Sequence, residues 1–112
     1  MNVNVETLEK SMVKLTIEVD ADRFEEGMKH AYNKNKNKIT VPGFRKGKVP
    51  RQLIEKTYGA EIFYEDAVNY IIPEAYDKAI EENNLEVVSR PEVDVQQVEK
   101  GKSMIFTAEV AV

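Results

Sequence analysis

Strict alternation near both ends of the chain limits its fold more than any other feature. Val13, Leu15, Ile17 and Val19 alternate with Met12, Lys14, Thr16 and Glu18. Met104, Phe106, Ala108, Val110 and Val112 alternate with Ile105, Thr107, Glu109 and Ala111. A period of two places each set on one face of a pleated strand, so both segments read as half-buried strands. Weaker alternation marks a partner for each. Val3 and Val5 share a face, and Val93 and Val95 alternate with Glu92 and Asp94, with Val98 beyond. Glu9-Lys10-Ser11 and Lys100-Gly101-Lys102 read as the connecting turns. Pro91 stands at the start of its strand, where a missing N–H matters least.

The middle of the chain changes period. Asp20 is placed to cap a helix, and Asp22, Glu25 and Glu26 fall where the helix dipole favours acids. Phe24, Met28, Ala31 and Tyr32 form its single apolar stripe. Asn33-Lys34-Asn35-Lys36-Asn37-Lys38 closes it; dipole matching and solubility alone account for Lys36 and Lys38. Pro50 suits the first position of a second helix, with Leu53, Ile54 and Tyr58 on its apolar side and Gly59 at its end. A third stretch runs from about Ala60 to Asn83, with Ile62, Phe63, Ala67, Tyr70, Ile71, Ala75, Ala79 and Ile80 at helical spacing. Pro73 predicts a kink there or a division into two segments. The order is β-β-α-α-α-β-β. It predicts an α+β domain, a four-stranded antiparallel sheet packed on helices, with a basic loop between helices at one end.

That loop is Val41-Pro42-Gly43-Phe44-Arg45-Lys46-Gly47-Lys48-Val49-Pro50. Pro fixes φ and Gly frees it, so the segment is a shaped loop. It holds one aromatic ring and three cations and no acid. From Lys29 to Lys56 the cations are Lys29, Lys34, Lys36, Lys38, Arg45, Lys46, Lys48, Arg51 and Lys56, against the single acid Glu55, in a chain of net charge −4. A basic arm on an acidic body is the asymmetry of a module that docks on RNA or an acidic surface. A merely solvated basic face explains the lysines but not a ring framed by Gly and Pro.

Other chemistry is hard to assemble. The 112 residues suit one domain, and there is no cysteine for a disulfide, thiolate metal site or nucleophile. His30 is the only histidine, which excludes the usual triads and zinc sites. Glu25-Glu26 and Glu81-Glu82 read as solvated helix faces. Gly43 and Gly47 enclose three residues and Lys48 is followed by Val49, which fits neither a Walker loop nor a KH loop. Met1 to Glu6 lack the basic and apolar regions of a signal peptide, and no apolar run approaches the ~20 residues that span a bilayer. These features predict a soluble, cytoplasmic protein. The last strand runs to the final residue without a stop signal, which predicts a fragment of a longer chain.

Gly43-Phe44-Arg45-Lys46-Gly47-Lys48-Val49-Pro50 resembles the ribosome-binding signature of the bacterial trigger factor family, Gly-Phe-Arg-x-Gly-x-x-Pro. It matches at every defined position, and the strand and helix order over the whole chain is similar to that family's N-terminal domain. Pro73 is the one feature the resemblance does not imply. The resemblance implies a module, residues 1–112, that docks a chaperone on the large ribosomal subunit near the nascent-chain exit. There it would meet a ribosomal protein, nearby ribosomal RNA and nascent polypeptides. Carried over by position, Gly43, Phe44, Arg45, Lys46, Gly47, Lys48 and Pro50 form the ribosome-binding loop, with Phe44, Arg45 and Lys46 at its tip. Lys34, Lys36, Lys38 and Arg51 form a supporting basic patch. No cofactor and no metal is implied. The parent's peptidyl-prolyl isomerase domain lies outside this chain, which implies no isomerase activity here. A homodimer off the ribosome stays open. The alternative from a different class is a free-standing RNA-binding domain, which would display aromatic rings on its sheet.

Overall fold

A computed structural model describes all residues, 1–112. Four strands form one antiparallel sheet: β1 (Asn2–Thr7), β2 (Met12–Val19), β3 (Glu92–Gln97) and β4 (Met104–Ala111), in spatial order β1-β2-β4-β3. The strongly alternating strands are thus the central pair, and the weakly alternating ones are the edges. β2 and β4 pair along their full length, from Met12 opposite Ala111 to Val19 opposite Met104. Their inward sets, Val13, Leu15, Ile17 and Val19 with Met104, Phe106, Ala108 and Val110, are all buried. Val3 and Val5 share that face at one edge. Val93 and Val95 share it at the other, where they stay partly exposed. The β1–β2 turn uses Lys10 and Ser11 at φ 60° and 59°, the left-handed pair that matches strand twist in a tight hairpin.

The helices cover the apolar face. α1 (Ala21–Asn35) packs on α3 (Tyr64–Glu82), and α3 lies against β2. Phe63, Ala67, Ile71, Ala75 and Ala79 are buried at a spacing of four, and three of the five are alanine. Small side chains let a neighbouring helix approach closely. Gly27 of α1 completes the approach: a Cβ there would stand 2.5 Å from Ile71 Cδ1 and 3.2 Å from the Ala67 carbonyl oxygen. A helical glycine costs roughly 0.5–1 kcal/mol relative to alanine. Here it permits the contact between the two long helices. α2 (Arg51–Tyr58) is short and buries Ile54.

Several expectations need correction. The long helical stretch does divide, but at Tyr64 and not at Pro73: a 3-10 turn spans Ala60–Phe63, and α3 then runs unbroken through Pro73. Pro73 and Asn69, the residue four positions back, are both exposed, so the hydrogen bond that proline forfeits lies on the solvent side of the helix, where its loss costs least. Pro50 precedes α2 in extended conformation, φ −61° and ψ 143°, and only its carbonyl joins the helix. Asp20 occupies the N-cap position without a side-chain capping bond; its carboxylate lies 3.7 Å from the Met1 amine. Tyr58, Ile62 and Tyr70 sit at helical spacing yet are exposed.

Candidate docking loop

The loop between α1 and α2 consists of two back-to-back turns. Phe44 N–H donates to the Val41 carbonyl at 3.2 Å, and Lys48 N–H donates to the Arg45 carbonyl at 3.0 Å. Gly43 and Gly47 hold the third position of each, at φ +89° and +84°. Positive φ at that position is the mark of a type II turn, and Pro42 at the second position of the first turn is its usual companion. The three-residue interval between the glycines is therefore geometric. Two consecutive four-residue turns place their glycines four apart, and Phe44 and Arg45 at the junction. At Gly47 a Cβ would meet only the Asn37 side-chain oxygen, which can move aside, so the positive φ is what reserves the position for glycine.

Both limbs of the loop are anchored below the turns. Ile39 and Val49 are buried in the core cluster, one on each limb. Tyr32 of α1 donates its hydroxyl to the Val49 carbonyl at 2.7 Å. Tyr58 of α2 donates its hydroxyl to the Thr40 carbonyl at 3.0 Å. Above these anchors the side chains face water. Phe44 is 46% exposed, and Arg45, Lys46 and Lys48 are exposed and form no ion pair within the chain.

The flanking cations behave differently from one another. Lys38 is exposed and unpaired. Lys36 holds its ammonium 5.9 Å from the Tyr32 ring centroid, within cation–π range. Lys34 binds Asp66 of α3 at 3.0 Å, and Asn35 donates to the same carboxylate at 2.6 Å. Those two bonds, Asn35 first, hold Asp66 below the usual carboxylate range. Arg51 forks onto both oxygens of Glu25 in α1, and its Nε lies 3.3 Å from Glu55 Oε2. The hydrogen bonds that Arg51 donates lower the Glu25 carboxyl, and the same bonds raise the guanidinium. Lys100 of the β3–β4 turn reaches the same Glu55 at 2.9 Å. Arg51 and Lys34 are thus paired with acids within the chain, Arg51 largely shielded and Lys34 still exposed.

Sequence reasoning placed Tyr32 and Tyr58 on apolar stripes and missed their hydroxyls. Ile39 and Val49 were likewise missed, although an apolar residue on each flank of a Gly/Pro loop is a readable sign of anchored limbs. His30 stacks on Tyr70, centroids 4.0 Å apart, and has no second imidazole to work with. No cluster of three or more His, Cys, Asp or Glu is placed to hold a metal. No helix is long and apolar enough to cross a membrane.

Comparison with known proteins agrees with this geometry. The family described as bacterial trigger factor protein (TF) matches residues 1–112. Trigger factor of Lachnoclostridium phytofermentans is 63% identical over 112 residues, all of this chain and 26% of the relative. Trigger factors of Agathobacter rectalis and Anoxybacillus flavithermus are 56% and 53% identical over the same length, 25% and 26% of those chains. The chain therefore spans about a quarter of the length of these relatives. Among solved structures, a trigger factor chaperone chain superposes with TM-score 0.75 at 20% identity, over 99% of this chain and 26% of its own. A structure from a study of trigger factor domains of Thermotoga maritima gives 0.60 at 22% identity, over 88% of this chain and all of the other. At these identities the two superpositions speak for the fold.

Proposed function

This chain belongs to the bacterial trigger factor family, and from that premise we propose that its glycine-framed loop docks a ribosome-associated chaperone on the large ribosomal subunit. The partners would be a ribosomal protein beside the nascent-chain exit and nearby ribosomal RNA, in the cytoplasm, with nascent polypeptides as the chaperone's clients. Gly43, Phe44, Arg45, Lys46, Gly47, Lys48 and Pro50 form the docking element. Lys36 and Lys38 add positive potential at its base, whereas Lys34 and Arg51 act in the scaffold. The chain acts as a binding module without isomerase activity of its own.

One observation carries this reading: an aromatic ring and three unpaired cations stand exposed on a loop whose limbs are buried. The magnitudes suit reversible docking. Burying a phenylalanine fully contributes about 1.5–3 kcal/mol, and Phe44 still has only 46% of its surface to bury, so its share is about half of that, roughly 0.7–1.4 kcal/mol. Exposed ion pairs add roughly 0–1 kcal/mol each. These terms sum to at most about 4 kcal/mol before the cost of association, so the loop's own contacts support weak, reversible binding and nothing tight. Arg45 supplies a planar fork for a carboxylate or phosphate; Lys46 and Lys48 supply point charges. The sheet offers no rival surface, since its only aromatic, Phe106, is fully buried. Co-sedimentation with ribosomes tests the reading. The chain is expected to pellet with ribosomes, and a Phe44/Arg45/Lys46 triple-alanine variant with unchanged circular dichroism is expected to stay in the supernatant. A variant that pellets normally removes the loop from the interface.

A further inference from the structure

The two tyrosine hydroxyls at the loop's neck form a crossed pair. Tyr32 belongs to α1, which leads into the loop, yet it binds Val49 on the limb that leaves it. Tyr58 belongs to α2, which follows the loop, yet it binds Thr40 on the limb that enters it. Each helix therefore grips the opposite limb. We propose that Tyr32 and Tyr58 are positioning residues that hold the basic loop in its binding shape, acting through their hydroxyls and without touching the partner. The proposal rests on the docking reading for its consequence, though not for its geometry.

The alternative to such a clamp would be a loop ordered by its own residues, and the loop offers little for that. Between Ile39 and Val49 its internal backbone bonds are the two turn bonds, and each spans a single turn. Neither fixes one turn relative to the other, or either relative to the helices. Thr40 is exposed, and its carbonyl has water as a substitute partner. Val49 is fully buried, so its carbonyl depends more on Tyr32. The Tyr32 bond is also shorter and partly shielded, whereas Tyr58 is 51% exposed. A net contribution of hydrogen bonds spans about a twofold to tenfold shift in an equilibrium, with shielded bonds at the upper end. The Tyr32 bond accordingly dominates.

The rings have separate work, which makes Tyr→Phe the informative change. The Tyr32 ring packs edge-on against Phe63, centroids 6.2 Å apart, and carries Lys36 over its face. Phenylalanine retains that packing and removes only the hydroxyl. Trypsin reads loop opening directly, because Arg45, Lys46 and Lys48 offer cleavable bonds that must leave their turns to enter a protease. Cleavage at those bonds, followed by mass spectrometry, is expected to accelerate about fivefold for Tyr32→Phe and about twofold for Tyr58→Phe. In the double variant the two losses compound, while the thermal midpoint shifts little. Tyr70→Phe is the control, since its partners His30 and Arg23 lie in α1. Double-variant cleavage indistinguishable from the control overturns the proposal. If Tyr32→Phe compromises the fold, Tyr58→Phe, which breaks an exposed bond, decides alone by the same reading. Ribosome co-sedimentation of the same variants separates the two claims. Faster loop cleavage with weaker pelleting supports both; faster cleavage with unchanged pelleting supports the clamp and counts against the docking reading.

Discussion

At the scale of single residues the loop divides its labour. Arg45 presents a fork that binds two acceptor oxygens at once, and Lys48 presents a hydrated point charge. Both are exposed and unpaired in the free chain, so neither must break an internal bond to engage a partner. Arg45→Ala is expected to weaken ribosome binding about tenfold or more, and Lys48→Ala about fivefold at most. Equal losses in a pelleting titration would refute the division. Arg51 shows the limit of reasoning from charge alone. Its place in the sequence groups it with the basic patch, and in the fold it binds Glu25 and Glu55. What separates it from Arg45 is its neighbourhood: Arg51 opens a helix within reach of Glu25 of α1 and of Glu55 one turn on, and Arg45 sits between two turns that hold no acid. The shape of the turns was legible in Pro42, Gly43 and Gly47. The tyrosine bonds were not, because a hydroxyl on an apolar stripe gives no sign of which carbonyl it will reach across some 17 residues.

At the scale of elements, charged groups join parts that share little apolar surface. Arg51 ties α2 to α1 through Glu25, and Lys100 ties the β3–β4 turn to α2 through Glu55. Glu25 is held below the ordinary carboxylate range chiefly by its Arg51 hydrogen bonds. A depressed folded-state value means that the stabilisation is complete above the unfolded carboxylate range and is lost as pH falls through the folded-state value. The melting temperature should therefore drop as pH falls below about 4. Glu25→Gln should lower it at neutral pH and flatten that acid decline; an unaltered decline would show that Glu25 contributes nothing to it. The elements themselves were readable where periodicity was strong. β2, β4 and the stripes of α1 and α3 follow from spacing. The joint at Tyr64 and the passage of α3 through Pro73 do not, because both depend on which side of the helix meets water. Nor did spacing reveal Gly27, whose meaning lies in Ala67 and Ile71, 40 and more residues away.

At the scale of the whole molecule, the charge and the shape act together. The chain measures 57 × 22 × 19 Å and has net charge −4, and its loop carries three unpaired cations, Arg45, Lys46 and Lys48, with no acid among them. Interactions of exposed charges are screened beyond a Debye length of about 10 Å at 0.1 M salt. If the loop neutralises about two phosphate-like charges, affinity should fall about tenfold between roughly 50 and 200 mM salt. Phe44→Ala should weaken binding without changing that slope, whereas Lys48→Ala should make it shallower; a salt-independent affinity would contradict an electrostatic contribution. The pairing of β2 with β4 has a consequence in time. Met12 meets Ala111, and Val19 meets Met104, so the sheet's central seam joins residues made before the loop to residues made well after it. During synthesis the arm emerges well before the strand that completes its foundation. Until then Leu15 and Ile17 have no strand beside them on that side, and an unfinished copy carries the recognition sequence while lacking the rigid body that would aim it.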